Sequence, residues 1–213
     1  MRKVLLGIIL IWTGFVARAE PVTIAALGDS LTQGYGLPQE AGFVPQLEEW
    51  LRAEGAEVVL INAGVSGDTT AGGAARVNWT LTPEVDAMIV ALGGNDLLRG
   101  IDPAVSRANL EAILQAAQAA EVPVLLIGMQ APGNYGPEYK RDFEANYAEL
   151  AEQYGTLLVP DFLGGIAGEG ADPAALGRFL QSDGIHPNAE GVVRIVAAIG
   201  PAVQALIASA RQD

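Results

Sequence analysis

Five short apolar runs, separated by longer stretches with helical spacing, set the architecture open to this 213-residue chain. Val22–Leu27 runs into Gly28; Val58–Ile61, Ala87–Leu92, Val124–Gly128 and Leu157–Val159 follow. Apolar residues fill consecutive positions in these runs, so both faces of each strand must be covered. Between them, Phe43–Arg52 has helical apolar spacing closed by Gly55, and Thr69–Val77 reads as a short helix carrying two glycines. Pro103–Ala119 opens with Asp102 as N-cap and proline at the first helical position. Tyr139–Tyr154 and a last segment from about Asn188 complete the helices, the last expected to break or kink at Gly200–Pro201. A β-α repeat of this kind implies a parallel sheet covered by helices, in three layers and without an internal linker. Reactive groups in such sheets gather in the loops at the carboxyl ends of the strands.

The first residues obey a different pattern. Arg2 and Lys3 precede the apolar stretch Val4–Val16, and Ala17-Arg18-Ala19 supplies a small-x-small cleavage site. The stretch is shorter than the ~18 residues of a membrane span. Residues 1–19 are therefore expected to be a cleaved signal peptide and residues 20–213 the folded domain. The protein is expected to be periplasmic or secreted, with no stable membrane anchoring.

Charge and cysteine usage exclude several functions. The chain has 12 Lys and Arg against 25 Asp and Glu, and Arg2, Lys3 and Arg18 would leave with the peptide. Such an acidic surface argues against nucleic acid and anionic membranes as partners. There is no cysteine, hence no disulfide, thiol nucleophile, thiolate metal site or lipid-anchored cysteine. With a single histidine, a zinc centre is not expected, and no cofactor is implied.

Four of the strand-end loops hold polar residues beside glycines. In Gly28-Asp29-Ser30-Leu31 a serine at a strand-to-helix turn can expose its hydroxyl at a helix start, although an ordinary N-cap looks the same. In Asn62-Ala63-Gly64-Val65-Ser66-Gly67-Asp68, Gly67 lets a backbone N–H approach a ligand, or simply supplies a tight turn. Asn95, in Gly93-Gly94-Asn95-Asp96, can aim its amide at an oxyanion or close an Asx-turn. In Asp183-Gly184-Ile185-His186-Pro187-Asn188, an acid three residues before a histidine can hold Nδ1 while Nε2 faces elsewhere. Each loop alone has a purely structural explanation; together, on one edge of one sheet, they point to nucleophilic catalysis.

These blocks resemble those of the SGNH hydrolases, also called the GDSL family of serine hydrolases. The matching stretches are GDSL at Ser30, SGDTT at Gly67, GGND at Asn95 and DGIHPN at His186, in the family's order. GGNDLLRG (Gly93–Gly100) and NYGPEY (Asn134–Tyr139) are most similar to its periplasmic acyl-CoA thioesterase/protease/lysophospholipase group. The resemblance implies a flavodoxin-like three-layer α/β/α sandwich with a five-stranded, mainly parallel sheet. It implies Ser30 as nucleophile, His186 as base and Asp183 as its acid. Ser30 N–H, Gly67 N–H and the Asn95 amide would form the oxyanion hole. The implied partner is a small acyl ester or thioester, and the implied working form a monomer. Leu97, Leu98 and Ile101, with Asn134 and Tyr135 in the loop after the fourth strand, can line an acyl groove, or the leucines and Ile101 can simply pack their loop onto the core. A carbohydrate O-deacetylase using the same blocks is the alternative enzyme, and a non-catalytic binding module the alternative outside enzymology.

Overall fold

The computed structural model describes residues 20–167 and 176–211; the expected signal peptide, residues 1–19, lies outside them. Five strands, β1 (Val22–Gly28), β2 (Val58–Gly64), β3 (Ala87–Ala91), β4 (Val124–Ile127) and β5 (Leu157–Val159), form one sheet in the order β2-β1-β3-β4-β5. Every pairing is parallel. The register matters for function: Gly28 lies opposite Gly64 on one side and Ala91 on the other. The three strands therefore end level, and the chain leaves each of them on the same edge.

The central strands are apolar throughout because helices cover both their faces, and Ile24, Leu27, Ile89, Val90 and Leu126 are fully buried. The short helix α1 (Ser30–Gln33) follows β1 directly, and α2 (Phe43–Ala53) leads to β2. On the other face lie α3 (Thr70–Thr80), α5 (Pro103–Ala119) and α6 (Pro137–Tyr154), packed in that sequence. Asp102 caps α5 as its spacing predicts, accepting from the Ala104 N–H at 2.9 Å. A six-residue helix, α4 (Gly94–Arg99), stands where the sequence reads as loop, and α7 (Gly164–Ala167) follows β5.

The last helix, α8 (Ala189–Ala210), departs from expectation: it runs unbroken through Gly200 and Pro201. Proline inside a helix removes the bond to the Ala197 carbonyl and costs about 3 kcal/mol. Against that stand Ile195, Val196, Ile199, Val203, Leu206 and Ile207, all buried, each contributing about 1.5–3 kcal/mol. Burial wins. Gly200 is needed for a separate reason, since a Cβ there would lie 2.4 Å from the ring of Trp50 on α2. By length and composition α8 could cross a membrane, but here it packs on α2 and the sheet as a core helix.

β2 is an edge strand, and side chains rather than a sixth strand occupy several of its backbone groups. Glu48 accepts from the Leu60 N–H at 2.6 Å, Arg52 donates to the Val58 carbonyl at 3.0 Å, and Asn62 accepts from the Gly64 N–H at 3.0 Å.

Candidate active site

Because β1, β2 and β3 end level, three of the four polar loops come together, and the loop before α8 closes over them. Asp29 ends the turn after β1 and caps α1, its Oδ1 accepting from the Leu31 N–H at 3.0 Å. Ser30 is thus the first residue of a helix and presents one of the N–H groups that a helix start leaves free. Gly67 sits in the turn after β2 at a φ of 85°, a conformation open to glycine, and its N–H has no acceptor among the described residues. Asn95 lies in the first turn of α4, which Gly93 opens at a φ of 122° and Gly100 closes in the left-handed region.

The serine, histidine and acid form a continuous hydrogen-bonded chain. Ser30 Oγ is 2.9 Å from His186 Nε2, and His186 Nδ1 is 2.7 Å from Asp183 Oδ2. The other carboxylate oxygen of Asp183 accepts from the N–H groups of Ile185 (2.9 Å) and His186 (3.0 Å). Those bonds hold its carboxyl down at about 2, the Ile185 N–H most strongly, then the imidazole and the His186 N–H. An ionised carboxylate only accepts, so Nδ1 carries the imidazole proton and Nε2 is left to accept from the Ser30 hydroxyl.

Asp29 sits beside this chain and has the opposite electrostatics. It is 1 % exposed, and burial pushes its carboxyl up to about 6 despite the Leu31 N–H and the Asn95 amide. Asn95 Nδ2 donates to Asp29 Oδ2 at 3.3 Å, which fixes the plane of the amide and leaves its second hydrogen for a ligand.

The chain opens into a cleft of about 420 Å³ whose lining includes Ser30, Gly67, Asn95 and His186. Its apolar wall is built by Leu31, Leu97, Leu98, Met129, Pro132 and Tyr135, with Asn134 also facing it. Ile101 is not part of that wall: it follows the left-handed turn at Gly100, and its carbonyl accepts from Tyr139 Oη at 2.9 Å. A larger cavity, about 720 Å³, opens at the amino ends of β4 and β5, on the opposite edge of the sheet from Ser30. Ser30 and His186 line the smaller one.

Several contributors have no signal in the sequence pattern. Arg76 on α3 donates to the carbonyls of Gly28 (2.8 Å) and Ala63 (2.7 Å) and pairs with Asp68, stapling the ends of β1 and β2 together. Arg99 donates to the Gly67 carbonyl at 2.8 Å. The Tyr35 ring packs on the imidazole with centroids 4.7 Å apart. The first block reads as a serine that could be an N-cap; the cap is instead Asp29, whose further contact with Asn95 has no signal in the sequence.

Comparison with known proteins identifies the family. Residues 26–193 match the model of the GDSL-like lipase/acylhydrolase family. The chain is 38% identical over 208 residues to esterase TesA of Pseudomonas aeruginosa, covering 97% of this chain and 100% of that one. It is 35% identical over 167 residues to thioesterase 1/protease 1/lysophospholipase L1 of Escherichia coli, covering 78% and 76%. Among solved structures, the SGNH-hydrolase family esterase AlinE4 superposes with a TM-score of 0.72 at 44% identity, covering 89% of this chain and 98% of that one.

Proposed function

The chain belongs to the GDSL-like lipase/acylhydrolase family, and we propose that it is a serine hydrolase cleaving acyl esters and thioesters through an acyl-enzyme on Ser30. The observation that carries the reading is the Ser30–His186–Asp183 chain, with contacts of 2.9 and 2.7 Å, at the mouth of an apolar cleft.

His186 Nε2 takes the hydroxyl proton as Ser30 Oγ attacks the acyl carbon. Asp183 keeps the imidazole in the required tautomer and stabilises the imidazolium that forms. The oxyanion is received by the N–H groups of Ser30 and Gly67 and by the Asn95 amide; loss of one such donor typically costs about 10²–10³ in kcat. The imidazolium returns its proton to the leaving alcohol or thiol. Water then repeats the sequence on the acyl-enzyme, with His186 again as base.

The acyl chain lies against Leu97, Leu98, Met129 and Tyr135. The deacetylase alternative draws support from Tyr35 and Tyr135, half-exposed aromatic rings on the cleft of the kind that stack on sugars. Rates on a series of p-nitrophenyl esters and acyl-CoA thioesters from acetyl to palmitoyl separate the two. A rise with chain length supports the acyl groove, and activity on acetyl esters alone supports the deacetylase. Ser30→Ala and His186→Ala should each lower kcat by about 10⁶ in a folded protein; wild-type turnover by either variant overturns the assignment.

The N-terminal pattern supports export: Arg2 and Lys3, the run Val4–Val16, and Ala17 and Ala19 flanking Arg18. The proposed mature form is a periplasmic or secreted monomer, residues 20–213, without a membrane anchor. N-terminal sequencing of the exported protein and sedimentation of the mature chain test these two points.

A further inference from the structure

The proposed nucleophile and base sit on segments far apart in the chain, one just after β1 and the other just before α8. Among the described residues only two hydrogen bonds join the turn 29–42 to the loop 176–188. One is Ser30–His186 itself, and the other is made by Gln181. Its amide Nε2 donates to the Tyr35 carbonyl at 2.8 Å and to the Pro187 carbonyl at 3.0 Å, so both hydrogens are used. Its backbone N–H donates to the His186 carbonyl at 2.7 Å, beside the bridge between Leu180 and Pro187.

On the far side, the contact passes directly to the nucleophile. The N–H groups of Gly34 (3.0 Å) and Tyr35 (3.1 Å) both donate to the Ser30 carbonyl, and the Tyr35 ring rests on the imidazole. Gly36 makes room for the amide: a Cβ there would lie 2.2 Å from Gln181 Oε1.

We propose that Gln181 is a positioning residue, whose side-chain amide clasps the Tyr35 turn to the His186 loop and so holds Ser30 Oγ within reach of Nε2. The proposal rests on the reading of Ser30 and His186 as nucleophile and base. The Asp183–His186 loop is well exposed and takes its internal shape from its own hydrogen bonds. Its distance from Ser30 is set from outside, and a misplacement of about 1 Å is enough to cost about 10²-fold in rate. Gln181 does not line the cleft, so substrate affinity is not its province.

The test compares wild type, Gln181→Met, Gln181→Glu and Ser30→Ala on p-nitrophenyl butyrate, with a thermal melt of each. Gln181→Met keeps the length of the side chain and removes both donors; Gln181→Glu also turns a carboxylate toward two carbonyl oxygens. The expected result is a loss of about 10- to 100-fold in kcat for both Gln181 variants, with KM within about twofold and Tm within about 5 °C of wild type. His186 is the only histidine, so its Hε1 resonance reports the ring alone. That resonance should shift or broaden in the Gln181 variants. Wild-type kcat in Gln181→Glu, or losses of kcat and Tm together with an unaltered resonance, would overturn the clasp. If Gln181→Met does not fold, Gln181→Glu carries the test. Full turnover by Ser30→Ala would overturn the nucleophile assignment and the clasp with it, whereas an inactive Ser30→Ala beside wild-type Gln181 variants would overturn the clasp alone.

Discussion

At the scale of residues, two carboxylates near one serine are driven in opposite directions. Asp183 is wrapped in donors that hold its carboxyl down at about 2, whereas burial raises that of Asp29 to about 6. Replacing Asp183 with Asn keeps the size of the side chain but offers the imidazole the wrong partner. Such an exchange in a serine triad costs about 10⁴ in kcat, and stopped assays on the purified variant should read a loss of that order. For Asp29 the folded-state pKa lies above the unfolded one. Its stabilising contribution is therefore complete below about pH 3.8 and is lost as pH rises through about 6. Asp29→Asn should gain up to about 3 kcal/mol at about pH 8, and little at about pH 4. Its kcat should fall by about 10², because the Asn95 amide loses the acceptor that aims it. Urea denaturation at both pH values, set beside the kinetics, checks this prediction. Ser30, Gly67 and Asn95 stand out in the sequence because each lies in a short polar, glycine-containing loop after a strand, and His186 because it is the single histidine with an acid three residues before it; its loop leads into α8 rather than out of a strand. The task of Asp29 could not be read, because it depends on burial and on a partner 66 positions away.

The elements that hold these residues were legible in proportion to their length. All five strands and the long helices follow from apolar periodicity and caps. The six residues of α4 do not, since two glycines and an Asn-Asp pair look like a loop until the fold closes around them. What makes α4 a fixed platform is Asp96, which is fully buried. Its carboxylate accepts from the N–H and hydroxyl of Thr70 (2.9 and 2.6 Å) and from the Ser106 hydroxyl (2.9 Å), tying α4 to the starts of α3 and α5. Asp96→Ala would strand three donors in the interior and should destabilise the protein by about 3 kcal/mol or more, measurable as a shift in urea midpoint. In α8 the local rule for proline yields to the apolar face on which the whole layer depends. A sequence window cannot weigh the two, because the burial belongs to the tertiary structure.

For the whole molecule, apolar periodicity predicts the layers and the parallel sense of the sheet, whereas the observed strand order β2-β1-β3-β4-β5 follows only from the flavodoxin-like fold that the resemblance implies. Order is decided by which apolar faces find cover, a property that no single run carries. It nonetheless explains why three of the four distant blocks meet: β1 stands between β2 and β3, and their level ends deliver Ser30, Gly67 and Asn95 to one edge. The opposite requirement, that the sheet should stop, is served on one of its two edges by β2. With Glu48, Arg52 and Asn62 bonded to its backbone, that strand offers an approaching chain little template for growth. A protein without disulfides to restrain a loosened state gains by this. Should part of the fold open briefly, its neighbours in a crowded solution would meet, on the β2 side, an edge with fewer free backbone groups to pair with.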